Sequence, residues 1–260
     1  MKLAIAGKGG VGKTTLASLL AGIYSARGRQ VIAIDADPDA NLAAALGIPP
    51  EQTSQITPIA QMDELIEERT GAKPGSVVTY FKLNPKVDDI PERFSARKDN
   101  IRLLIMGEVK GGGGGCVCPE STLLKALMSH LLLSREEIVI MDMEAGLEHL
   151  ARGTARAVDA FIVVVEPGQR SVQTANAVRK LAIDLGVERC YVVGFKVQND
   201  EDRQYIKDNL PNFEILGFID YDPLIAEADR KGIAVFEHAP QTVERAKEIA
   251  DKLDQVYTAR

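Results

Sequence analysis

Nine consecutive residues, Gly7-Lys8-Gly9-Gly10-Val11-Gly12-Lys13-Thr14-Thr15, satisfy the phosphate-loop spacing G-x-x-x-x-G-K-[ST]. The motif constrains the fold as well as the ligand, because it works only between a strand and a helix. Both are legible: Leu3-Ala4-Ile5-Ala6 reads as a buried strand, and Thr15-Leu16-Ala17-Ser18-Leu19-Leu20-Ala21 reads as the start of a helix. Glycines let the amides of Gly9, Gly10, Val11 and Gly12 converge on phosphate oxygens, and the helix start at Lys13, Thr14 and Thr15 adds positive potential. Lys13 then reaches the terminal phosphates, and the Thr14 hydroxyl is placed to ligate Mg²⁺. Lys8 is a further lysine that a plain phosphate loop does not need.

The rest of the chain agrees with an α/β protein. Apolar runs at Val31–Ile34, Ile101–Ile105, Ile138–Met141, Ala160–Val165, Cys190–Val193 and Glu214–Phe218 alternate with helical stretches. Strands that are apolar throughout, with helices between them, predict a mostly parallel central sheet with helices on both faces. At 260 residues with 45% hydrophobic content there is ample core, and residues 1–260 read as a single domain. Pro85–Lys98 is polar and proline-containing, and reads as an irregular insertion near the sheet edge. The last helix, Thr242–Tyr257, repeats apolar residues at helical spacing.

Charge and composition exclude several function classes. A net charge of −6 and a pI near 5.3 argue against a nucleic-acid partner, whose phosphates demand a basic surface. No run reaches the ~18 apolar residues of a membrane span, so no membrane partner is expected. Met1-Lys2-Leu3 leads straight into the first strand and leaves no room for a signal peptide, and with three cysteines a reducing, cytoplasmic location is expected.

The string Lys8-Gly9-Gly10-Val11-Gly12-Lys13-Thr14 resembles the deviant Walker A motif of the MinD/ParA/nitrogenase-iron-protein class of ATPases. That resemblance implies ATP as ligand and a nucleotide-sandwich homodimer in which Lys8 crosses to the partner's nucleotide. By the same resemblance, Asp35-Ala36-Asp37-Pro38-Asp39-Ala40-Asn41 is switch I, with Asp37 orienting the attacking water and Asn41 near the Mg²⁺ shell. Asp142, ending the strand Ile138–Met141, takes the Walker B place as a Mg²⁺ ligand. Base contacts fall to Lys196 and Asp222, with two departures from the class pattern: Phe195 stands where an asparagine is usual, and Asp220 where proline is common. Gln198 also excludes a guanine-type Asn-Lys-x-Asp signature.

A second informative stretch is Gly111-Gly112-Gly113-Gly114-Gly115-Cys116-Val117-Cys118-Pro119-Glu120. In extended backbone, side chains two apart share a face, so the sulfurs of Cys116 and Cys118 can approach one ion. Pro119 suits the first position of a helix, which makes Cys118 its cap and favours the thiolate. Two thiolates leave a metal half-coordinated. If two chains meet about an axis through this loop, four sulfurs close a tetrahedral Zn²⁺ site or a four-sulfur Ni²⁺ site.

The phosphate loop with Lys8, the Cys116–Glu120 element, the string Asp142–Thr154 and the segment Val165–Ser171 together are similar to the CooC family over nearly the whole chain. The resemblance implies a nickel-insertion ATPase whose client is apo carbon monoxide dehydrogenase or acetyl-CoA synthase. Two other readings compete. A MinD/ParA positioning switch would use a DNA- or membrane-binding surface, which the acidic charge disfavours. An ATP-driven iron–sulfur electron donor would draw its ligands from separated segments, which the adjacent cysteines disfavour.

Overall fold

The computed structural model describes residues 1–74, 80–108, 118–143 and 157–258. Among these residues eight strands form one sheet: β1 (Lys2–Gly7), β2 (Val31–Ala36), β3 (Ala96–Lys98), β4 (Ile101–Ile105), β5 (Ile138–Met143), β6 (Ala160–Val165), β7 (Cys190–Val197) and β8 (Glu214–Asp220). Their order is β3-β4-β2-β5-β1-β6-β7-β8, and every pairing except β3 with β4 is parallel. Each of the parallel runs expected from the sequence is a strand, because each has apolar side chains for both faces.

Alternation along the strands divides the core in two. Leu3, Ile5, Ala33, Ile140, Ile162 and Val164 point to one face, where they meet the first helix, α1 (Lys13–Ala26), and the helix Pro240–Thr258. Ala4, Ala6, Ile34, Met141, Phe161 and Val163 point to the other, under the helices Pro119–Leu133 and Gln169–Leu185. In α1 the buried Leu16, Leu19, Leu20, Ile23 and Tyr24 face the sheet and the last helix, and the Tyr24 hydroxyl donates to the Ala250 carbonyl (3.3 Å). The last helix buries Val243, Ala246, Ile249, Ala250 and Leu253, the face its spacing predicts.

The segment Pro85–Lys98 is more ordered than an irregular insertion. It contains the short helix Ile90–Arg93 and the antiparallel edge strand β3. Arg135 fastens this region to the sheet through ion pairs to Glu92 (2.6 Å) and Glu137 (2.5 Å). Among the described residues no helix is long and apolar enough to cross a membrane.

Candidate nucleotide site

The register of the parallel strands collects the candidate residues at one edge. Ile5 of β1 is paired with Asp142 of β5, and Asp35 of β2 with the same Asp142, while Gly7 faces Val164 of β6. The loop after β1 therefore leaves the sheet between the acidic ends of β2 and β5 on one side and Glu166 on the other. Such a carboxyl edge is where parallel α/β sheets bind ligands.

Gly12 begins α1 in the left-handed region (φ 112) with no capping side chain, which leaves the first-turn amides for an anion. A side chain at Gly12 would also collide with the Phe195 ring, 2.8 Å from a Cβ built there. Lys13 is buried to 6% exposure and stands 3.8 Å from the Asp37 carboxylate. Thr14 heads the same helical turn.

Asp142 and Asp35 are fully buried carboxylates. Among the described residues neither Asp142 oxygen is matched by a well-aligned hydrogen-bond donor. Burial pushes its pKa up to about 7, while the Thr14 hydroxyl and Lys13 nearby favour the ionised form and Asp35 and Asp37 oppose it. Asp35 is raised to about 6, also by burial, and is held back by N–H bonds from Leu42 (2.8 Å) and Asp37 (3.3 Å). A buried carboxylate beside a threonine hydroxyl and a phosphate loop, with no other donor among the described residues, fits the Mg²⁺ of a Mg²⁺–triphosphate, which takes few protein ligands and fills its shell with phosphate and water oxygens. The chain would hold it through Thr14 and Asp142. Asn41 lines the same space, although its amide donates to the Asp39 carbonyl (2.7 Å).

A cavity of about 470 Å³ runs from Gly10, Gly12, Thr14 and Thr15 past Asn41 to Phe195, Lys196, Tyr221 and Asp222. That volume falls within the roughly 300–1,000 Å³ usual for small-ligand pockets. The expected base residues are thus at its far end, but their polar atoms are engaged. The Lys196 ammonium donates to the Gly10 carbonyl (2.6 Å). Asp222 caps the helix Pro223–Lys231, accepting from the Leu224 N–H (2.9 Å) and the Thr242 hydroxyl (2.7 Å). A larger cleft of about 830 Å³, lined by residues such as Gln52, Gln61, Asp63 and Arg93, contains no phosphate-loop residue.

Lys8 is where the sequence reading needed more than its motif. In this single chain its ammonium pairs with Glu166 at 2.8 Å. The Glu166 backbone is itself held by an N–H bond to the Ser171 hydroxyl (3.1 Å). The signal lay in the strand order: β6 adjoins β1, so the residue just past β6 reaches the loop just past β1.

Of the cysteine element, Cys118 is described and Cys116 is not. Cys118 is the half-buried N-cap of the helix Pro119–Leu133, in extended backbone (φ −118, ψ 160), with Pro119 at the first position as its chemistry dictates. Gly111–Gly115 and most of the Asp142–Thr154 string also lie outside the described residues. Cys190, at the start of β7, has its thiol pushed up to about 11 by burial, which suits packing better than metal ligation. Among the described residues no group of three or more His, Cys, Asp or Glu side chains is arranged to hold a metal.

Comparison with known proteins agrees with this geometry. Residues 2–235 match the CobQ/CobB/MinD/ParA nucleotide binding domain. The carbon monoxide dehydrogenase accessory protein CooC of Rhodospirillum rubrum is 47% identical over 95% of this chain and 93% of its own length. An uncharacterized ATP-binding protein of Methanocaldococcus jannaschii is 46% identical over 89% of this chain and 90% of its own. The MinD cell division protein of Aquifex aeolicus superposes with a TM-score of 0.68 at 18% identity, over 98% of both chains, which establishes the common fold. With the phosphate loop, the strand-end acids and this kinship agreeing, the chain belongs to the CooC family of MinD/ParA-type nucleotide-binding proteins and is an ATPase.

Proposed function

We propose that this ATPase is a homodimeric metallochaperone, a single domain over residues 1–260, that carries Ni²⁺ or Zn²⁺ at an inter-subunit Cys116/Cys118 site and assists nickel insertion into carbon monoxide dehydrogenase or acetyl-CoA synthase. The observation that carries this reading is the near full-length similarity to a carbon monoxide dehydrogenase accessory protein. The C-x-C sequence, whose Cys118 caps a helix, adds to it: each chain offers two thiolates, and a closed four-sulfur site takes two chains.

The chain's own groups divide the hydrolytic work. The loop amides and Lys13 bind and neutralise the triphosphate, and Asp37, within reach of Lys13, orients the attacking water. Thr14 and Asp142 would hold Mg²⁺, which would supply charge neutralisation when bound. Lys8 completes the charge balance from the partner chain, in the manner of an arginine finger.

Metal counting on the anaerobically purified chain, paired with sedimentation, tests the proposal. One tightly bound Ni²⁺ or Zn²⁺ per two chains is expected. Cys116→Ala or Cys118→Ala should abolish it and weaken metal-driven dimerisation while leaving the fold intact. The metal-loaded parent should transfer nickel to the apo-dehydrogenase in the presence of ATP. One metal per chain that survives loss of both cysteines, or the absorption spectrum of a four-iron cluster, would overturn the reading.

A further inference from the structure

The end of β7 carries a backbone irregularity aimed at the phosphate loop. Phe195 pairs with Ile219 and Val197 with the next residue, Asp220, so Lys196 is an extra residue in its strand. It takes up the slack in the left-handed region, φ 57, which among the described non-glycine residues only Asp99 shares. A lysine there is strained, and such strain persists only where surrounding contacts hold it.

Those contacts are with the loop, 186 residues away in sequence. The Lys196 ammonium donates to the Gly10 carbonyl at 2.6 Å, and the adjacent Phe195 ring lies against Gly12. The N–H of the same Gly10–Val11 peptide donates to the Lys8 carbonyl (3.3 Å), closing a tight turn. Gly10 sits at the third position of that turn with φ 72, as a type II turn requires. One peptide of the loop is therefore pinned at its carbonyl by Lys196 and at its N–H by Lys8.

A glycine-rich loop is free to turn its peptides over, and a carbonyl facing a triphosphate repels it where an amide attracts it. We propose that Lys196 is a positioning residue for the phosphate loop: its ammonium fixes the Gly10 carbonyl and keeps the loop ready for phosphate, and base recognition falls to other groups. This rests on the glycine loop being the triphosphate site, which the parent chain's own titrations test separately.

The experiment compares equilibrium binding of Mg²⁺–ATP, Mg²⁺–GTP and Mg²⁺–tripolyphosphate by the parent, Lys196→Met and Lys196→Gly. A residue acting through the loop affects the phosphates and ignores the base. Lys196→Met should weaken all three ligands by the same factor, about tenfold, as loss of one charge-assisted hydrogen bond would. Lys196→Gly accepts the left-handed backbone without strain and still lacks the ammonium, so it should show the same uniform loss with the melting temperature kept. Unchanged tripolyphosphate binding beside weakened nucleotide binding would overturn the proposal and make Lys196 a base or sugar contact. So would a changed ATP-to-GTP ratio, or full affinity in Lys196→Gly. A parent chain that binds neither ATP nor tripolyphosphate would overturn the triphosphate reading, and this proposal with it.

Discussion

If Lys8 serves a partner's nucleotide, the pair it makes with Glu166 must break each time a dimer forms. The two atoms are 2.8 Å apart, with the lysine 37% and the glutamate 27% exposed. A pair this open to water is worth about 0.2–1 kcal/mol. A symmetric dimer releases two lysines, so the cost doubles to about 0.4–2 kcal/mol, equivalent to a roughly two- to thirtyfold change in dimerisation constant. Glu166→Ala removes that cost in advance. Sedimentation velocity with Mg²⁺ and a non-hydrolysable ATP analogue should therefore place the monomer–dimer midpoint of the variant roughly two- to thirtyfold lower in concentration than that of the parent. The double variant Lys8→Ala/Glu166→Ala should gain nothing, because the released lysine is gone. A midpoint that stays put in Glu166→Ala would refute the reasoning, and one that rises would mean that Glu166 works across the interface.

Two other perturbations probe the catalytic edge. Asp142 and Asp35 have folded-state pKa values of about 7 and 6 against about 3.9 in an unfolded chain, so the folded protein keeps protons that the unfolded chain has lost. The nucleotide-free protein should accordingly lose stability as pH rises from about 4 through 7. Asp142→Asn should remove most of that slope, raising stability at pH 8 by at most about 4 kcal/mol while abolishing Mg²⁺-dependent hydrolysis; equal pH slopes in melting curves of parent and variant would count against it. Asp37→Asn should bind ATP as the parent does, hydrolyse it far more slowly and accumulate as a nucleotide-loaded dimer, whereas Lys13→Ala should lose phosphate binding itself. Separate measurements of ATP affinity and single-turnover rate distinguish the two, and lost affinity with an intact rate in Asp37→Asn would reassign it to binding.

What was legible in the sequence follows from where the information lies. The parallel strands announce themselves because each supplies apolar residues to two buried faces, as Ala160–Val165 does without interruption. The phosphate loop is local chemistry, complete within nine residues. Strand β3 was hidden because Ala96-Arg97-Lys98 is short, charged and partly exposed, and an antiparallel edge strand needs no apolar alternation on two faces. The ties from Lys8 to Glu166 and from Lys196 to Gly10 span 158 and 186 residues, so no window along the chain contains them. Only the order of β1, β6 and β7 in the sheet brings them together, and that order emerges from the assembled fold.

The same order gives the loop's two lysines acidic neighbours on opposite sides. Lys13 leans toward Asp37 from the β2 side, and Lys8 is bound to Glu166 from the β6 side. A triphosphate settling on the loop would offer Lys13 a stronger partner than Asp37, 3.8 Å away, and under the proposed mechanism would leave that carboxylate free to take up water. In the proposed homodimer a second triphosphate, on a facing chain, would make the same offer to Lys8 and release Glu166. Under that proposal each exchange would set one acid loose as a phosphate arrives, and occupancy of both chains, not nucleotide binding alone, would ready the site for hydrolysis. Through its tie to Lys8, Glu166 would then set part of the cost of bringing two chains together before ATP is spent.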